Sequence, residues 1–282
     1  MKTLNIIGAG ALGRTVGRMW QQAGVFAIGD VVNRSAASAA DAVRFIGGGR
    51  PLSEIADMRE ADAILIATPD GAIAETAAVL ARTPLDFAGR IVFHCSGALP
   101  SALLAPVEAR GALIASVHPI RSFAVPENVI SDFAGTFCGV EGNEQALAVL
   151  EPGFAALGAR LVRIDPDAKT LYHAAAVFAA NYPVTLLDIA VQAYGKAGIA
   201  PETALQMMAP LAMHAVRNAL AAGPKAALSG PAARGDWETL KRQQSALQEW
   251  DDELARLYEL LGRFSARLAG KTPPETSLEF TT

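Results

Sequence analysis

Gly8, Gly10 and Gly13 stand in the run NIIGAGALGRTVG, residues 5 to 17, behind a short apolar stretch and ahead of a helical one. Glycine at these three places serves a tight turn, the close approach of a pyrophosphate to the backbone, and close packing of helix on strand. The helix start offers the free N–H groups around Ala11 and Leu12 and a positive dipole end to an anion. About twenty residues on, where an acid would receive the ribose hydroxyls of NAD, stand Asn33, Arg34 and Ser35. A carboxylate there would repel a 2′-phosphate, whereas a guanidinium binds it through paired charge-assisted hydrogen bonds. NADP(H) is therefore the expected dinucleotide. S-adenosylmethionine is disfavoured, because its enzymes also want an acid after the second strand. Thr68, Pro69 and Asp70 close a further buried run, with Asp70 expected to cap the next helix and the backbone near Thr68 to meet ribose or pyrophosphate.

Candidates for proton transfer fall in three places. VFHCSGALP and ASVHPI each end a strand and bring His94, Ser96, Gly97 and His118 toward the carboxyl edge of the sheet. Alternation puts His94 and Ser96 on one face and Cys95 on the other, so no metal site is expected from this group. DPDAKTLYHAAAVFAANYP sets Lys169 and His173 four residues apart on one helix face, with Asn181 about two turns further on. A desolvated lysine or a histidine near its solution pKa can supply the proton that a carbonyl or imine takes up on reduction. The same residues would equally serve as interdomain hydrogen-bonding groups. In LSGPAARGDWETL, Asp236 reads as an N-cap and Arg234 as an anion ligand or a surface residue.

These residues need a scaffold of alternating strands and helices. Strands are expected at Leu4–Ile7, Asp30–Asn33, Ala63–Ala67, Ile91–His94, Leu113–Val117, Phe137–Val140 and Leu161–Ile164, with helices at Leu12–Ala23, Ala36–Phe45, Ile73–Ala81 and Glu144–Leu157. Gly24 and Gly158 read as helix stops. The pattern is α/β: a doubly wound, mainly parallel sheet over residues 1–165. From Asp167 onward the spacing is helical, giving an all-α domain over 166–270 and a loose tail over 271–282. One long helix is expected from Asp167 toward Gly198, bent near Pro183, a second from Pro201 to Ala222, and a third, continuous one from Trp237 to Ala269. The third carries a seam of Leu247, Trp250, Leu254, Leu257, Leu261, Phe264 and Leu268. So apolar a helical domain predicts a homodimer.

With 282 residues, 51% of them hydrophobic, the chain has ample material for a core. A net charge of -4 gives no field for sequence-independent nucleic-acid binding. Two cysteines without metal-type spacing read as reduced thiols and point to the cytoplasm. No membrane span is expected, since the apolar stretch from Ala174 to Ala190 contains Asn181, Pro183 and Asp188.

The stretches GAGALG, NRS, HCSGAL, SVHPIRSF, GTFCGVEG, KTLYHAAAVFAANY and GPAARGD together resemble the Rossmann-like NADP oxidoreductases that carry their own C-terminal helical domain. These belong to the 6-phosphogluconate dehydrogenase-like superfamily and are relatives of pyrroline-5-carboxylate reductase and deazaflavin-dependent NADP oxidoreductase. The resemblance implies a Rossmann domain followed by a helical domain of the 6-phosphogluconate dehydrogenase type that often forms the dimer. Hydroxyacid dehydrogenases of the superfamily carry a catalytic lysine with an asparagine four residues later. Lys169 matches the lysine, but His173 holds the second position. Their glycine-rich substrate motif is replaced by His94–Leu99, which argues against a sugar-acid substrate.

The expected function is hydride transfer between NADP(H) and a small carbonyl, imine or hydroxy compound in an interdomain cleft. Lys169, His173, His94, His118 and Asn181 are the candidates for catalysis. The competing readings are an NADP-binding sensor or assembly subunit and a reductase that passes hydride to a flavin or deazaflavin.

Overall fold

The computed structural model describes residues 1–272, so most of the tail expected over 271–282 lies outside the described residues. The strands are β1 (Lys2–Ile7), β2 (Phe26–Val32), β3 (Arg50–Leu52), β4 (Ala63–Ile66), β5 (Ile91–His94), β6 (Leu113–Pro119), β7 (Phe137–Gly142) and β8 (Arg160–Arg163). The helices are α1 (Ala11–Ala23), α2 (Ala36–Ile46), α3 (Asp70–Ala81), α4 (Ala105–Glu108), α5 (Pro126–Asp132), α6 (Glu144–Ala155), α7 (Lys169–Lys196), α8 (Pro201–Ala222), α9 (Pro224–Ala227), α10 (Pro231–Arg234), α11 (Trp237–Gln248) and α12 (Asp252–Ala269).

Among the described residues the strands form one sheet in the order β3-β2-β1-β4-β5-β6-β7-β8. Every neighbouring pair is parallel except β6 and β7, which run antiparallel. Alternation along the strands divides the core between the two faces. Leu4, Ile6, Ala63 and Leu65 join one apolar cluster with Trp20, Phe26, Phe93 and Phe154. Ile7, Ile64 and Ile66 join the other, with Ile73, Leu80 and Phe87. Trp20 is the hub of the first. Its ring stands edge-on to Phe154 at 4.8 Å and Phe26 at 5.1 Å, and its Nε1–H donates to the Gly153 carbonyl at 2.9 Å. Gly24 ends α1 in the left-handed conformation, as expected.

Contacts divide the chain into a unit of Met1–Pro183 and a unit of Val184 onward. The change of composition near residue 165 marks where the strands stop. The first unit reaches Pro183 because the opening turns of α7 pack on the sheet.

Several expectations need correction. β2 begins at Phe26 rather than Asp30. Within it Gly29 is required, because a Cβ there would collide with Asn5 Oδ1. β3 escapes sequence reading because it has three residues and one is Pro51, tolerated on an edge strand. The continuous helix expected from Trp237 to Ala269 is two helices, α11 and α12. Asp251 adopts an extended backbone and its carboxylate accepts the N–H groups of Glu253 and Leu254, which starts a new helix. The Tyr258 hydroxyl then donates back to Gln243, closing α11 and α12 into a hairpin. In the same unit Asp236 caps α11 through the Thr239 N–H, as expected.

Helix α7 runs through Pro183 without interruption. The segment Pro166–Lys196 is long and apolar enough, by length and composition alone, to cross a membrane, despite Asn181, Pro183 and Asp188. Its apolar residues are uncovered in the single chain: Leu171 is 74% exposed and Phe178 69%. On α8, Leu220 is 84% exposed.

Candidate active site

The strand order reverses direction of growth between β1 and β4, which opens a crevice at their carboxyl ends. A cleft of about 760 Å³ lies there, lined by Gly8–Gly10, Arg14, Asn33, Arg34, Ser38, Asp41, Thr68 and Pro69 among others. Gly8 has a φ of +85°, and a Cβ on it would come within 2.8 Å of the Thr68 backbone nitrogen. Gly13 is equally confined, with the Gly8 carbonyl 2.9 Å from its would-be Cβ. Gly10 differs: nothing lies within 4 Å of that position, so the backbone is open to an approaching group. The Arg14 N–H is the first to bond inside α1, to the Gly10 carbonyl at 3.1 Å. The N–H groups of Ala11, Leu12 and Gly13 therefore project from the helix end.

The β2–α2 corner is fixed to this loop. Asn33 Oδ1 accepts the Ala9 N–H at 2.7 Å, and Asn33 Nδ2 donates to the Ser38 carbonyl at 3.0 Å. Ser35 caps α2 by accepting the Ser38 N–H at 3.2 Å. Arg34 stays exposed at the cleft wall. Arg14, which sequence reasoning passed over, joins it. Its guanidinium lies over the Phe45 ring at 5.0 Å, and its buried Nε has no partner among the described residues. Asp41 is already engaged, 3.0 Å from Arg44 and 3.8 Å from Arg14.

Asp70 does not cap α3. Pro69 holds the N-cap position, and the Asp70 carboxylate instead accepts the Ser96 hydroxyl at 2.9 Å. Ser96 Oγ in turn accepts the N–H groups of Ala98 and Leu99, so the turn after β5 is tied to the start of α3.

The second cluster is built on two rungs of the antiparallel β6–β7 ladder. Ser116 stands opposite Glu141, and two residues on, His118 stands opposite Gly139. The first turns of α7 lie over these rungs, one helical turn matching two strand residues. Over the first rung, Lys169 is fully buried, its Nζ 2.8 Å from Glu141 Oε1 and hydrogen-bonded to Ser116 Oγ. Glu141 also accepts the Ser101 N–H at 2.8 Å and its hydroxyl at 2.6 Å. Burial holds the Lys169 ammonium below the usual lysine range, against the pull of Glu141.

His94 sits beside this network. Its Nδ1 accepts the Ser96 N–H at 3.1 Å, which leaves the proton on Nε2 to meet the Pro100 carbonyl at 3.2 Å. Burial, reinforced by the charge of Lys169, lowers its pKa to about 4. Cys95 faces the other way into the Trp20 cluster, and its buried thiol is pushed well above the usual range.

Over the second rung, Tyr172 Oη lies 2.9 Å from His118 Nδ1. Gly139 makes room for the phenol, since a Cβ there would approach Oη to 2.5 Å. The His173 ring is edge-on to His118 at 5.8 Å, and both rings crowd Gly97: a Cβ at 97 would lie 2.6 Å from His173 Nδ1 and 2.7 Å from His118 Nε2. His173 Nδ1 is buried with no partner among the described residues. Burial, then the neighbouring His173 and Lys169, lowers the His118 pKa to about 4. Burial and the nearby Cys138 raise that of Tyr172 to about 12.

The structure thus gathers His94, Ser96, Gly97, His118, Lys169 and His173 at one edge of the sheet. Asn181 lies exposed further along α7, outside the cluster. Glu141, Ser116, Ser101 and Tyr172 complete it, and none of them was singled out from sequence.

Comparisons with known proteins agree with this architecture. Residues 2–119 match the family model described as a Rossmann-like domain, and residues 136–264 match the one described as a domain of unknown function, DUF2520. No curated protein matches the chain. Among solved structures, a protein from Thermotoga maritima is 24% identical, with 95% of this chain and 98% of that one covered at a TM-score of 0.74. A candidate NADP oxidoreductase from Bacteroides fragilis is 23% identical, with 94% and 98% covered and a TM-score of 0.73. An imine reductase from Myxococcus stipitatus, in complex with NADP+, is 17% identical, with 98% and 97% covered and a TM-score of 0.67. At these identities the likeness establishes the fold.

Proposed function

For a chain that belongs to the Rossmann-like proteins carrying a DUF2520 domain, we propose an NADP(H)-dependent oxidoreductase acting on a small carbonyl, imine or hydroxy compound. The observation that carries the reading is the cleft at the ends of β1 and β4, open at Gly10 and walled by Arg34, with no carboxylate at the end of β2. A dinucleotide fits these residues. The open face of Gly10 admits a pyrophosphate, the projecting amides of Ala11, Leu12 and Gly13 hold it, and the unpartnered Arg14 Nε needs an acceptor. Arg34, with Ser35 and Ser38 beside it, receives a 2′-phosphate, and the backbone of Thr68 and Pro69 meets a ribose. The NADP(H)-bound states of the imine reductase and of the Aspergillus terreus reductive aminase of the same fold support this choice.

When bound, NADPH supplies the hydride. The protein's residues manage the polar end of the substrate. His118 and His173 present ring nitrogens without protein partners beside Gly97, the side on which a substrate oxygen or nitrogen is held and protonated. Ser96, Gly97 and Asp70 shape the adjoining turn. Lys169 and His94 are enclosed by their own partners and act by holding α7 and the β5 turn in place. We further propose a cytoplasmic homodimer in which a second copy covers the exposed apolar residues of α7 and α8.

Calorimetry with NADPH and NADH, followed by absorbance of reduced nicotinamide against a panel of carbonyls and imines, tests the reading. Binding of NADPH with consumption on one substrate class supports it. Binding without consumption favours a sensor, consumption only with an added flavin or deazaflavin favours the third reading, and no binding at millimolar concentration removes the dinucleotide altogether.

A further inference from the structure

We propose that Tyr172 is a positioning residue that fixes His118 as the Nε2–H tautomer, so that a neutral imidazole offers one hydrogen-bond donor to the substrate's oxygen or nitrogen. The inference deepens the reductase reading and rests on it for the identity of the acceptor. Two ring nitrogens of His118 have different fates. Nδ1 lies 2.9 Å from Tyr172 Oη, while Nε2 has no protein partner among the described residues and faces Gly97. The phenol keeps its proton: burial raises its pKa to about 12, so its O–H is available to donate throughout the physiological range. A phenol that donates to Nδ1 leaves the imidazole proton on Nε2.

The surroundings keep this imidazole neutral. Besides Tyr172, the groups that face it are His173 and Lys169 on α7 and Asp70 on α3, and β7 contributes only Gly139 opposite. Burial, then the neighbouring His173 and Lys169, disfavour an imidazolium, and Asp70 opposes them. A neutral donor of this kind stabilises negative charge as it builds on a carbonyl oxygen or imine nitrogen, without itself giving up a proton. The proton that completes the reduced product then comes from a second group, and His173 Nδ1, which meets the same face of Gly97, stands where such a group is needed.

Gly139 supports the same assignment. The position opposite His118 must lack a side chain, because the phenol oxygen occupies the space a Cβ would take. Small-residue space on β7, a tyrosine on α7 and a histidine on β6 form one fitted group.

The test is nitrogen-15 NMR on the whole protein, which has four histidines and so a readable imidazole spectrum. Long-range proton–nitrogen correlations distinguish the tautomers directly, with or without turnover. The expected result is a protonated Nε2 and an unprotonated Nδ1 at His118, unchanged from pH 8 to pH 5. Tyr172→Phe should shift His118 toward a mixture of tautomers, and, with an active substrate, lower kcat on the order of tenfold while moving KM less. A proton on Nδ1 in the unmodified protein, or a Tyr172→Phe spectrum with the same single tautomer, overturns the proposal. Should no substrate be found, the NMR result still decides the role of Tyr172, and the failure then belongs to the reductase reading alone.

Discussion

Lys169 Nζ lies 2.8 Å from Glu141 Oε1, and both side chains are sealed from solvent. Breaking such a pair from one side leaves a charge buried alone, which costs about 3–5 kcal/mol. Lys169→Met should therefore destabilise the protein by an amount of that order in urea unfolding. Adding Glu141→Gln, which removes the stranded charge and keeps one acceptor oxygen for Ser101, should recover much of the loss. Additive effects of the two changes would show that the pair does not anchor α7.

Acid should act in two stages. His94 and His118 have folded pKa values of about 4 against 6.5 in an unfolded chain. Between those values the unfolded chain binds protons that the folded one refuses, so stability falls as pH drops from 6.5 to 4, by a few kcal/mol for each buried ring. Asp30 is displaced in the same direction, for a different reason and in a lower pH range. Burial works against its charge, but Arg50 and Arg59 outweigh it and hold the pKa at about 2, below the 3.8 of an ordinary aspartate. Its contribution is complete above about 3.8 and disappears as pH falls through 2. Denaturation series across pH should show a decline beginning near 6.5, and Asp30→Asn should flatten the lowest part of the curve. Constant stability from pH 6.5 to 4.5 would contradict neutral burial of the histidines.

Arg34→Ala should weaken NADPH binding by about 10- to 100-fold, the scale of a charge-assisted hydrogen bond, and leave NADH binding nearly unchanged. Calorimetry with both dinucleotides reads the difference. Equal losses for the two would move Arg34 from the 2′-phosphate to a shared part of the cofactor.

Phe178 and Leu220 are large apolar side chains left bare on α7 and α8. Phe178→Glu with Leu220→Glu should convert a dimer to monomer in size-exclusion chromatography with light scattering, with secondary structure retained. A native protein that already elutes as a monomer would refute coverage by a second copy.

The glycine turn and the strands around it were legible because their signals are local: an apolar run, three glycines and a helix within thirteen residues. The polar half of the site was legible only as a set of residue types. Lys169 and His173 stand out on an apolar helix, but their partners are assigned by the sheet. Glu141 is 28 residues from Lys169 and Tyr172 is 54 from His118, with no periodicity linking either pair. The reversal of β7 that sets Ser116 against Glu141 leaves no mark in composition. By contrast, the break between α11 and α12 had a signal, the Asp251 cap, which the continuing leucine seam concealed.

The reversal of β7 also restricts how this chain can change length. Side chains alternate between faces along a strand, so one residue inserted between Phe137 and Gly142 would turn Glu141 into the opposite layer. The same slip would carry a side chain into the gap that Gly139 leaves for the phenol. Insertions and deletions are thus confined to the connections on either side of this strand, and its six residues behave as a ruler against which the opening of α7 is measured.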